Sequence, residues 1–309
     1  MTIQVSKLNP ELTSYCDELE DLERSEKTIK NYHTSNKLFI GYLIDNEITE
    51  ISNDNIDEIM KKYRSYLKNE RNNTPSTRKK YLKEIIQFLN TLELKISIEL
   101  PKDNSKNKKI KYLSIEEIRE VMKSIPNSMV RDIAVFQMLY RTGVRVSELS
   151  SLKKHDLDLN SPDSVISVEI TNGKGGKDRV VCIDQETVQL LNKMIYKRTR
   201  KGKKDKTDYL FTARTGNQLS DRDIERIVKK YAIKTDERLR NEDRKTDFKN
   251  KLTPHTLRHS FAIHLLNEAE RPINEVQALL GHENIATTNI YAQVGDKKIR
   301  KGYESVEWK

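Results

Sequence analysis

Apolar positions along the first hundred residues recur at the spacing of amphipathic helices. The clearest run consists of Leu12, Tyr15, Leu19 and Leu22. Similar patterns follow in TIKNYHTSNKLFIGYLI, NDNIDEIMKKYRSYL and TPSTRKKYLKEIIQFLNTL. Thr74-Pro75 marks the start of the last stretch, because proline is tolerated in the first turn, where its missing N–H is no loss. The pattern predicts a four-helix domain.

The periodicity changes in the middle of the chain. Ser114 begins a helix through a capping box with Glu117, and the next apolar pattern ends at Gly143. From residue 165 to 171 apolar and polar positions alternate, and the run RVVCI follows after NGKGG. Because Asn-Gly between two such runs is a turn signal, we predict a β-hairpin with Lys174 at or beside its turn. Further helices are predicted at about 185–199, 220–232, 254–268 and 273–280, with a last one around Tyr291.

A polar, lysine-rich stretch, PKDNSKNKKIKY, separates the two patterns and is typical of a linker. We therefore predict an N-terminal helical domain over 1–98, a linker over 99–112 and a second domain with a C-terminal tail over 113–309. The expected fold class is mainly α with a small antiparallel β-sheet. The charged segment 237–251 is predicted to be a mobile loop or a short solvated helix.

Charge narrows the range of partners. The 309 residues carry a net charge of +10 with 34% charged residues, which favours a polyanion such as nucleic acid. The same net charge is equally consistent with a soluble protein that is rich in lysine and glutamate and binds no nucleic acid. The charge is unevenly distributed within the first domain. Residues 1–60 hold 5 Lys/Arg against 13 Asp/Glu, whereas residues 61–98 hold 10 Lys/Arg against 3 Asp/Glu.

Several classes of site are not indicated. Cys16 and Cys182 lie far apart, with no CxxC and no Cys/His cluster, so the sequence predicts neither a zinc site nor a disulfide framework. No metal or cofactor is expected, and the absence of a GxxxxGK[ST] motif gives nucleotide hydrolysis no support. The first residues lack an apolar signal core, and no run of about 18 apolar residues occurs. We expect a cytoplasmic protein that does not enter a membrane.

The stretch LTPHTLRHSFAIHLL places charged and polar side chains at the start of an amphipathic helix. Thr253 is the expected cap, His255 lies in the first turn, and Arg258 follows one turn later. Leu257, Phe261 and Leu265 recur every four residues on another face. We therefore expect His255 and Arg258 to be offered to an anion at the helix start rather than to the interior.

Four further residues complete an ordered set. Arg145 follows a glycine turn, Lys174 lies in GKGGKDR, His282 follows the helix-ending Gly281, and Tyr291 comes nine residues later. Each alone is more often a structural residue. Together, the arginines and histidines suit the binding of a phosphate, the lysine suits protonation of a leaving alkoxide, and the phenol suits nucleophilic attack. This inventory describes metal-free transesterification of a nucleic-acid backbone.

The motifs TGVRVSEL, GKGGKDR, HTLRHSFA and LLGHENIATTNIY, in this order, make the sequence resemble the tyrosine recombinases, the lambda-integrase and Xer-like family of site-specific DNA recombinases. The resemblance spans nearly the whole chain. It implies that Arg145 and Arg258 clamp the scissile phosphate with help from His255 and His282. It also implies that Lys174 is the general acid toward the 5′-oxygen and that Tyr291 forms a 3′-phosphotyrosyl link.

The resemblance also implies an architecture and partners. The N-terminal domain corresponds to a SAM-like core-binding domain, and the partner is double-stranded DNA with specific inverted core sites. The chain is expected to act as a homo-oligomer, a dimer on one site and a tetramer in synapsis, in integration, excision or resolution, with or without accessory proteins. The expected DNA-binding residues are Arg78, Lys79, Lys80, Lys83, Lys109, Lys111, Lys177 and Arg179.

Two alternatives remain open on the sequence. A type IB topoisomerase-like enzyme uses the same chemistry to relax supercoils as a monomer, without pairing sites. A DNA-binding regulator on the same scaffold has no use for the catalytic set, yet every expected position is occupied here.

Overall fold

The computed structural model describes residues 2–102, 110–170, 178–199 and 207–281. The chain forms two compact units, Met1–Lys108 and Lys109–Lys309, called here the N-terminal and the C-terminal unit. Residues 103–109 of the predicted linker, which include Lys109, lie outside the described residues. The N-terminal unit contains β1 (Thr2–Gln4), α1 (Leu8–Asp21), α2 (Glu26–Asp45), β2 (Glu50–Ser52), α3 (Ile56–Asn69) and α4 (Pro75–Thr91).

The predicted helices form the core of the N-terminal unit. Phe39 of α2, Tyr63 of α3 and Phe88 of α4 are fully buried, and Tyr63 packs edge-on against Phe39. The small antiparallel pair β1–β2, with Ile3 opposite Ile51, is absent from the sequence prediction because three-residue strands leave too short an alternation to detect.

One apolar residue of the run that predicts α1 is not buried. Leu22 is 66% exposed, although its spacing continues the apolar pattern of α1. The helix ends at Asp21, and Glu23 then adopts a left-handed backbone with φ of 54°. Leu22 therefore lies just beyond the last helical residue, where the helical repeat no longer sets the direction of its side chain.

Helices also dominate the C-terminal unit. Its elements are α5 (Ile115–Lys123), α6 (Val130–Thr142), α7 (Val146–Ser151), β3 (Val165–Ile170), β4 (Arg179–Asp184), α8 (Gln185–Thr199), α9 (Asp221–Arg240), α10 (Phe248–Lys251), α11 (Pro254–Asn267) and α12 (Ile273–Leu280). The fold is therefore mainly α with small antiparallel sheets, as the sequence predicts.

The β-hairpin and α6 organise the core of this unit. β3 pairs antiparallel with β4, and Ile170 lies opposite Arg179. Ile166, Val168 and Ile170 are buried on one face, which confirms the predicted alternation. Residues 171–177 of the predicted turn, including Lys174 and Lys177, lie outside the described residues. Helix α6 ends at Gly143, which has a left-handed φ of 63° and brings the chain round to α7.

The structure corrects the prediction for the charged segment 237–251. Its first residues continue α9 to Arg240, and its last ones form the short helix α10. Phe248 is 4% exposed, and the carboxylate of Asp236 accepts hydrogen bonds from the amides of Phe248 and Lys249 at 2.8 and 2.7 Å. A buried aromatic anchor and a buried carboxylate thus order the end of a segment that looks solvated by composition.

Among the described residues, no helix is long and apolar enough to cross a bilayer. The same part of the chain brings together no group of His, Cys, Asp and Glu side chains suited to a metal ion.

Candidate active site

The start of α11 is built as the sequence predicts. Thr253 caps the helix: its Oγ1 accepts a hydrogen bond from the amide of Thr256 at 3.1 Å, while Thr256 Oγ1 accepts one from the amide of Thr253 at 2.8 Å. Pro254 occupies the first turn. His255 lies exposed in that turn, where unpaired helix amides favour an anion.

Arg258 differs from its expected position. Its side chain is on the buried side of α11, and the residue is only 5% exposed. Nη1 donates to the carbonyl of Gly143, and Nη2 donates to the carbonyl of Leu280 at 2.6 Å. Because the last carbonyls of α6 and α12 have no partner within their own helices, they draw the guanidinium inward. The expectation that Arg258 avoids the interior is therefore wrong.

Arg145 reaches the same region from another element. It precedes α7, and its amide donates to Glu148 Oε2 at 2.7 Å, which caps that helix. Its Nη1 donates to Glu148 Oε1 at 2.7 Å, and its Nη2 donates to the carbonyl of Gly281 at 3.2 Å. The side chain keeps 22% of its surface exposed, so it can still be reached from solvent.

Arg179 is buried rather than presented to DNA. Its side chain is 7% exposed, and both terminal nitrogens donate to the carboxylate of Glu148, at 2.8 and 2.7 Å. Its Nε donates to the carbonyl of Leu279 at 2.8 Å. Because all three guanidinium nitrogens of Arg179 already donate within the protein, the structure does not favour the expected direct contact between Arg179 and DNA.

The C-terminal end of α12 is thus the meeting point of the arginines. Arg179, Arg258 and Arg145 donate to the successive carbonyls of Leu279, Leu280 and Gly281. Cations are favoured there because the helix dipole places partial negative charge at this end. The arrangement brings Arg145 and Arg258, which lie 113 positions apart in the sequence, to one point.

Glu148 is the functional residue that the sequence analysis missed. Its side chain is 4% exposed. Burial by itself raises the pKa of the carboxyl. The hydrogen bonds and charge of Arg179, together with hydrogen bonds from the amide and side chain of Arg145, outweigh burial and lower the pKa to about 2. The signal was present in TGVRVSEL, where a glutamate stands three residues after an arginine that precedes a helix.

The low pKa of Glu148 predicts a loss of stability in acid. Since the folded pKa of about 2 lies below the ordinary value of 4.5, this stabilisation is present above pH 4.5 and is lost as the pH falls toward 2. We expect the loss to be about 3 kcal/mol, measured as the free energy of urea unfolding across this range. Glu148→Gln should lower stability at pH 7 by about 3 kcal/mol and flatten this pH dependence.

The matched control for this prediction is Glu120→Gln. Hydrogen bonds from Lys123 and Arg238 also lower the Glu120 pKa to about 2, but that carboxylate lies near the surface of α5, where solvent screens the pair. Glu120→Gln should change the acid dependence far less. An unchanged pH profile in Glu148→Gln contradicts the buried network.

His259 directly follows Arg258 in the sequence. Burial, with smaller contributions from the nearby His255 and Arg258, lowers the pKa of His259 to about 4. His259 is therefore neutral at pH 7 and adds no net charge beside Arg258.

The remaining predicted catalytic residues lie outside the described residues. These are Lys174, His282 and Tyr291. His282 directly follows Gly281 in the sequence, whose carbonyl Arg145 holds.

The other described residues predicted to bind DNA lie on two different units. Lys80 and Lys83 are exposed on α4, whereas Arg78 and Lys79 are half-buried there. Lys80 also lies 3.8 Å from the carboxylate of Glu84. In the C-terminal unit, Lys111 is exposed and its Nζ lies 3.4 Å from the carbonyl of Asn250.

A basic groove beside the start of α11 was not predicted. It has a volume of about 600 Å³. Its lining consists of Arg222, Arg226 and Lys229 of α9, one acidic residue (Glu225), Thr253, His255 and four apolar residues. The cations recur at one face of α9, a spacing that marks a basic stripe. The sequence SDRDIERIVKK hides this stripe because its acidic residues make it read as an ordinary solvated helix.

Comparison with known proteins agrees with this architecture. Residues 111–298 match the phage integrase family. The chain is 34% identical over 297 residues to a tyrosine recombinase of Pseudothermotoga lettingae, an alignment that covers 93% of this chain and 94% of the relative.

Solved structures share the fold. The Tn1549 transposon integrase in complex with transposon right end DNA has a TM-score of 0.71 at 19% identity, covering 98% of this chain and 99% of that one. The XerH site-specific recombinase bound to palindromic difH substrate has a TM-score of 0.67 at 20% identity, covering 97% and 84%. On the family match and the sequence identity, this chain belongs to the phage integrase family of tyrosine recombinases.

Proposed function

We propose that this recombinase cleaves and rejoins DNA at specific sites through a 3′-phosphotyrosyl intermediate. The observation that carries the proposal is the convergence of Arg145 and Arg258, from separate elements, on the end of α12. Fixed positive charge at one point stabilises the extra negative charge that develops when a further oxygen attacks phosphorus. His255, exposed at the start of α11, adds a donor beside them.

The proposed residues account for the bonds that form and break and for the proton given to the leaving group. The phenol of Tyr291 releases its proton to water and attacks the scissile phosphorus, and the bond to the 5′-oxygen breaks as the bond to tyrosine forms. Lys174 donates a proton to the departing 5′-oxygen. Arg145 and Arg258 hold the non-bridging oxygens with support from His255 and His282. Rejoining is the reverse reaction, with a 5′-hydroxyl of the partner strand as the nucleophile.

DNA binding is proposed to use the exposed cations of both units. We propose that the exposed Lys80 and Lys83 of α4 and Lys111 contact phosphates, and that the basic groove of Arg222, Arg226 and Lys229 does so as well. Such contacts neutralise the backbone and give affinity with little sequence information. We further propose a dimer on an inverted core site and a tetramer in synapsis, which agrees with the palindromic substrate of the XerH structure.

The function is tested with DNA that the protein itself selects. A duplex pool of random sequence is enriched for bound sites, and the selected site is built into a nicked duplex and into a plasmid carrying two copies. We expect the nicked duplex to yield a protein-linked strand in the presence of EDTA, and the plasmid to yield recombinant products. A protein-linked strand with relaxation of supercoils but no exchange between the two copies favours a topoisomerase and contradicts the proposal.

A further inference from the structure

The side chain of Arg179 joins parts of the C-terminal unit that are distant in the sequence. Arg179 is the first residue of β4, and its guanidinium is held by Glu148, which follows Arg145 by three positions in α7. Its Nε is held by the carbonyl of Leu279 in α12. The pairing with Glu148 is of the bidentate kind, in which both members are fixed in position and in plane.

Glu148 transmits this position to Arg145. Oε1 of Glu148 accepts from Nη1 of both arginines, at 2.7 Å for Arg145 and 2.8 Å for Arg179. Oε2 accepts from the amide of Arg145 and from Nη2 of Arg179, each at 2.7 Å. Each carboxylate oxygen accepts hydrogen bonds from both residues. A substitution at Arg179 therefore changes the orientation of the carboxylate to which Arg145 is hydrogen-bonded.

The end of α12 is held from the same side. Gly281 adopts a left-handed φ of 63°, and a Cβ added there would lie 2.9 Å from Cδ of Arg179. The helix end therefore packs closely on the Arg179 side chain, with no room for a larger residue. Arg145 donates to the carbonyl of this same glycine. Arg179 therefore contacts both partners of the Arg145 guanidinium, which are Glu148 and the end of α12.

We infer that Arg179 is a positioning residue for DNA strand cleavage, which acts by holding Glu148 and the end of α12 so that Arg145 is aimed at the scissile phosphate. This inference rests on the proposed function. A direct phosphate contact is disfavoured because Nε, Nη1 and Nη2 of Arg179 all donate within the protein, to the carbonyl of Leu279 and to both carboxylate oxygens of Glu148. A lysine in its place keeps the charge but has neither the fork nor the Nε–H that together reach Glu148 and Leu279.

The test compares two substrates in single-turnover cleavage. One is the selected nicked duplex, and the other carries a methylphosphonate at the scissile position, which has no negative charge there. We expect Arg179→Gln to cleave the phosphodiester about 100-fold more slowly than the unmodified protein, since a misplaced binding group costs about that much. On the methylphosphonate the defect should shrink to below about tenfold, because a neutral group depends less on the charge of a well-placed arginine.

Two further variants make the result specific. Arg179→Lys should show the same substrate pattern with a smaller defect, and it keeps the test open if the glutamine variant does not fold. Arg141→Gln is the matched control, because Arg141 pairs with Asp184 at the other end of β4 and with Glu186. It should lower stability while leaving cleavage of both substrates unchanged.

The outcomes separate this inference from the proposed function. Equal defects on both substrates, or no defect, overturn the positioning role. A loss of DNA affinity with normal cleavage of bound DNA also overturns it and identifies a DNA contact instead. If the unmodified protein forms no protein-linked strand on either substrate, the proposed function itself fails, and the inference fails with it.

Discussion

Tyr291→Phe is expected to bind the selected DNA as tightly as the unmodified protein and to form no protein-linked strand. Removing the hydroxyl removes the atom proposed to attack phosphorus, while the cationic groups proposed to bind the backbone remain. The measurement is denaturing gel electrophoresis of the nicked duplex after incubation, with a filter-binding assay alongside. We expect a loss of covalent product of at least about 1000-fold, because no other group can replace a covalent nucleophile at its position.

Three of the described tyrosines are poorly placed for this role. Tyr63 and Tyr231 are fully buried, and burial raises the pKa of both phenols. The hydroxyl of Tyr140 lies 2.8 Å from Nδ1 of His264 in a hydrogen bond. Tyr196, which is 60% exposed on α8, provides the matched control: Tyr196→Phe should form the covalent product at the normal rate. A covalent product from Tyr291→Phe assigns the nucleophile to another residue.

Arg258→Gln is expected to lower the cleavage rate by about 1000-fold and also to destabilise the fold. The rate is expected to fall because the site loses one of the two guanidinium groups proposed to stabilise the phosphate in the transition state. Stability falls by about 2 to 4 kcal/mol, because the buried carbonyls of Gly143 and Leu280 lose the donor that the structure gives them. Single-turnover cleavage at saturating protein measures the first effect, and thermal unfolding measures the second.

Substitution of an arginine outside the proposed site distinguishes the effect on stability from the effect on cleavage. Arg238 of α9 donates to the carboxylate of Glu120 at 2.6 Å and has no part in the proposed site. Arg238→Gln should destabilise the C-terminal unit without slowing cleavage by the folded protein. Arg258→Lys should retain part of the activity, because the charge remains while the second carbonyl loses its donor. Cleavage by Arg258→Gln within tenfold of the normal rate contradicts the role of this residue at the phosphate.

The features that were predictable from sequence are local. Thr253 and Pro254 indicate the start of α11, Gly143 caps the end of α6, and the alternation around Val168 indicates a half-buried strand. In each case the cause lies within a few residues of the effect, since caps, left-handed glycines and strand faces depend on near neighbours. The ordered motifs also indicated the family that the comparison shows.

The features that were missed depend on contacts across the chain. A charged side chain is expected at the surface unless it is paired, and the partner of Arg179 lies 31 positions away at Glu148. Arg258 reaches carbonyls at the ends of two other helices, and nothing near it in the sequence signals that those ends meet there. Phe248 is likewise buried within a segment whose composition favours solvent.

The central claim is that Arg145, Arg258 and Tyr291 meet at one phosphate. The most direct measurement is the structure of Tyr291→Phe bound to a duplex carrying the selected site. We predict that both guanidinium groups lie about 3 Å from non-bridging oxygens of the same phosphate, with the ring of residue 291 next to its phosphorus. A complex in which the two arginines keep to the end of α12 and contact no common phosphate contradicts the account.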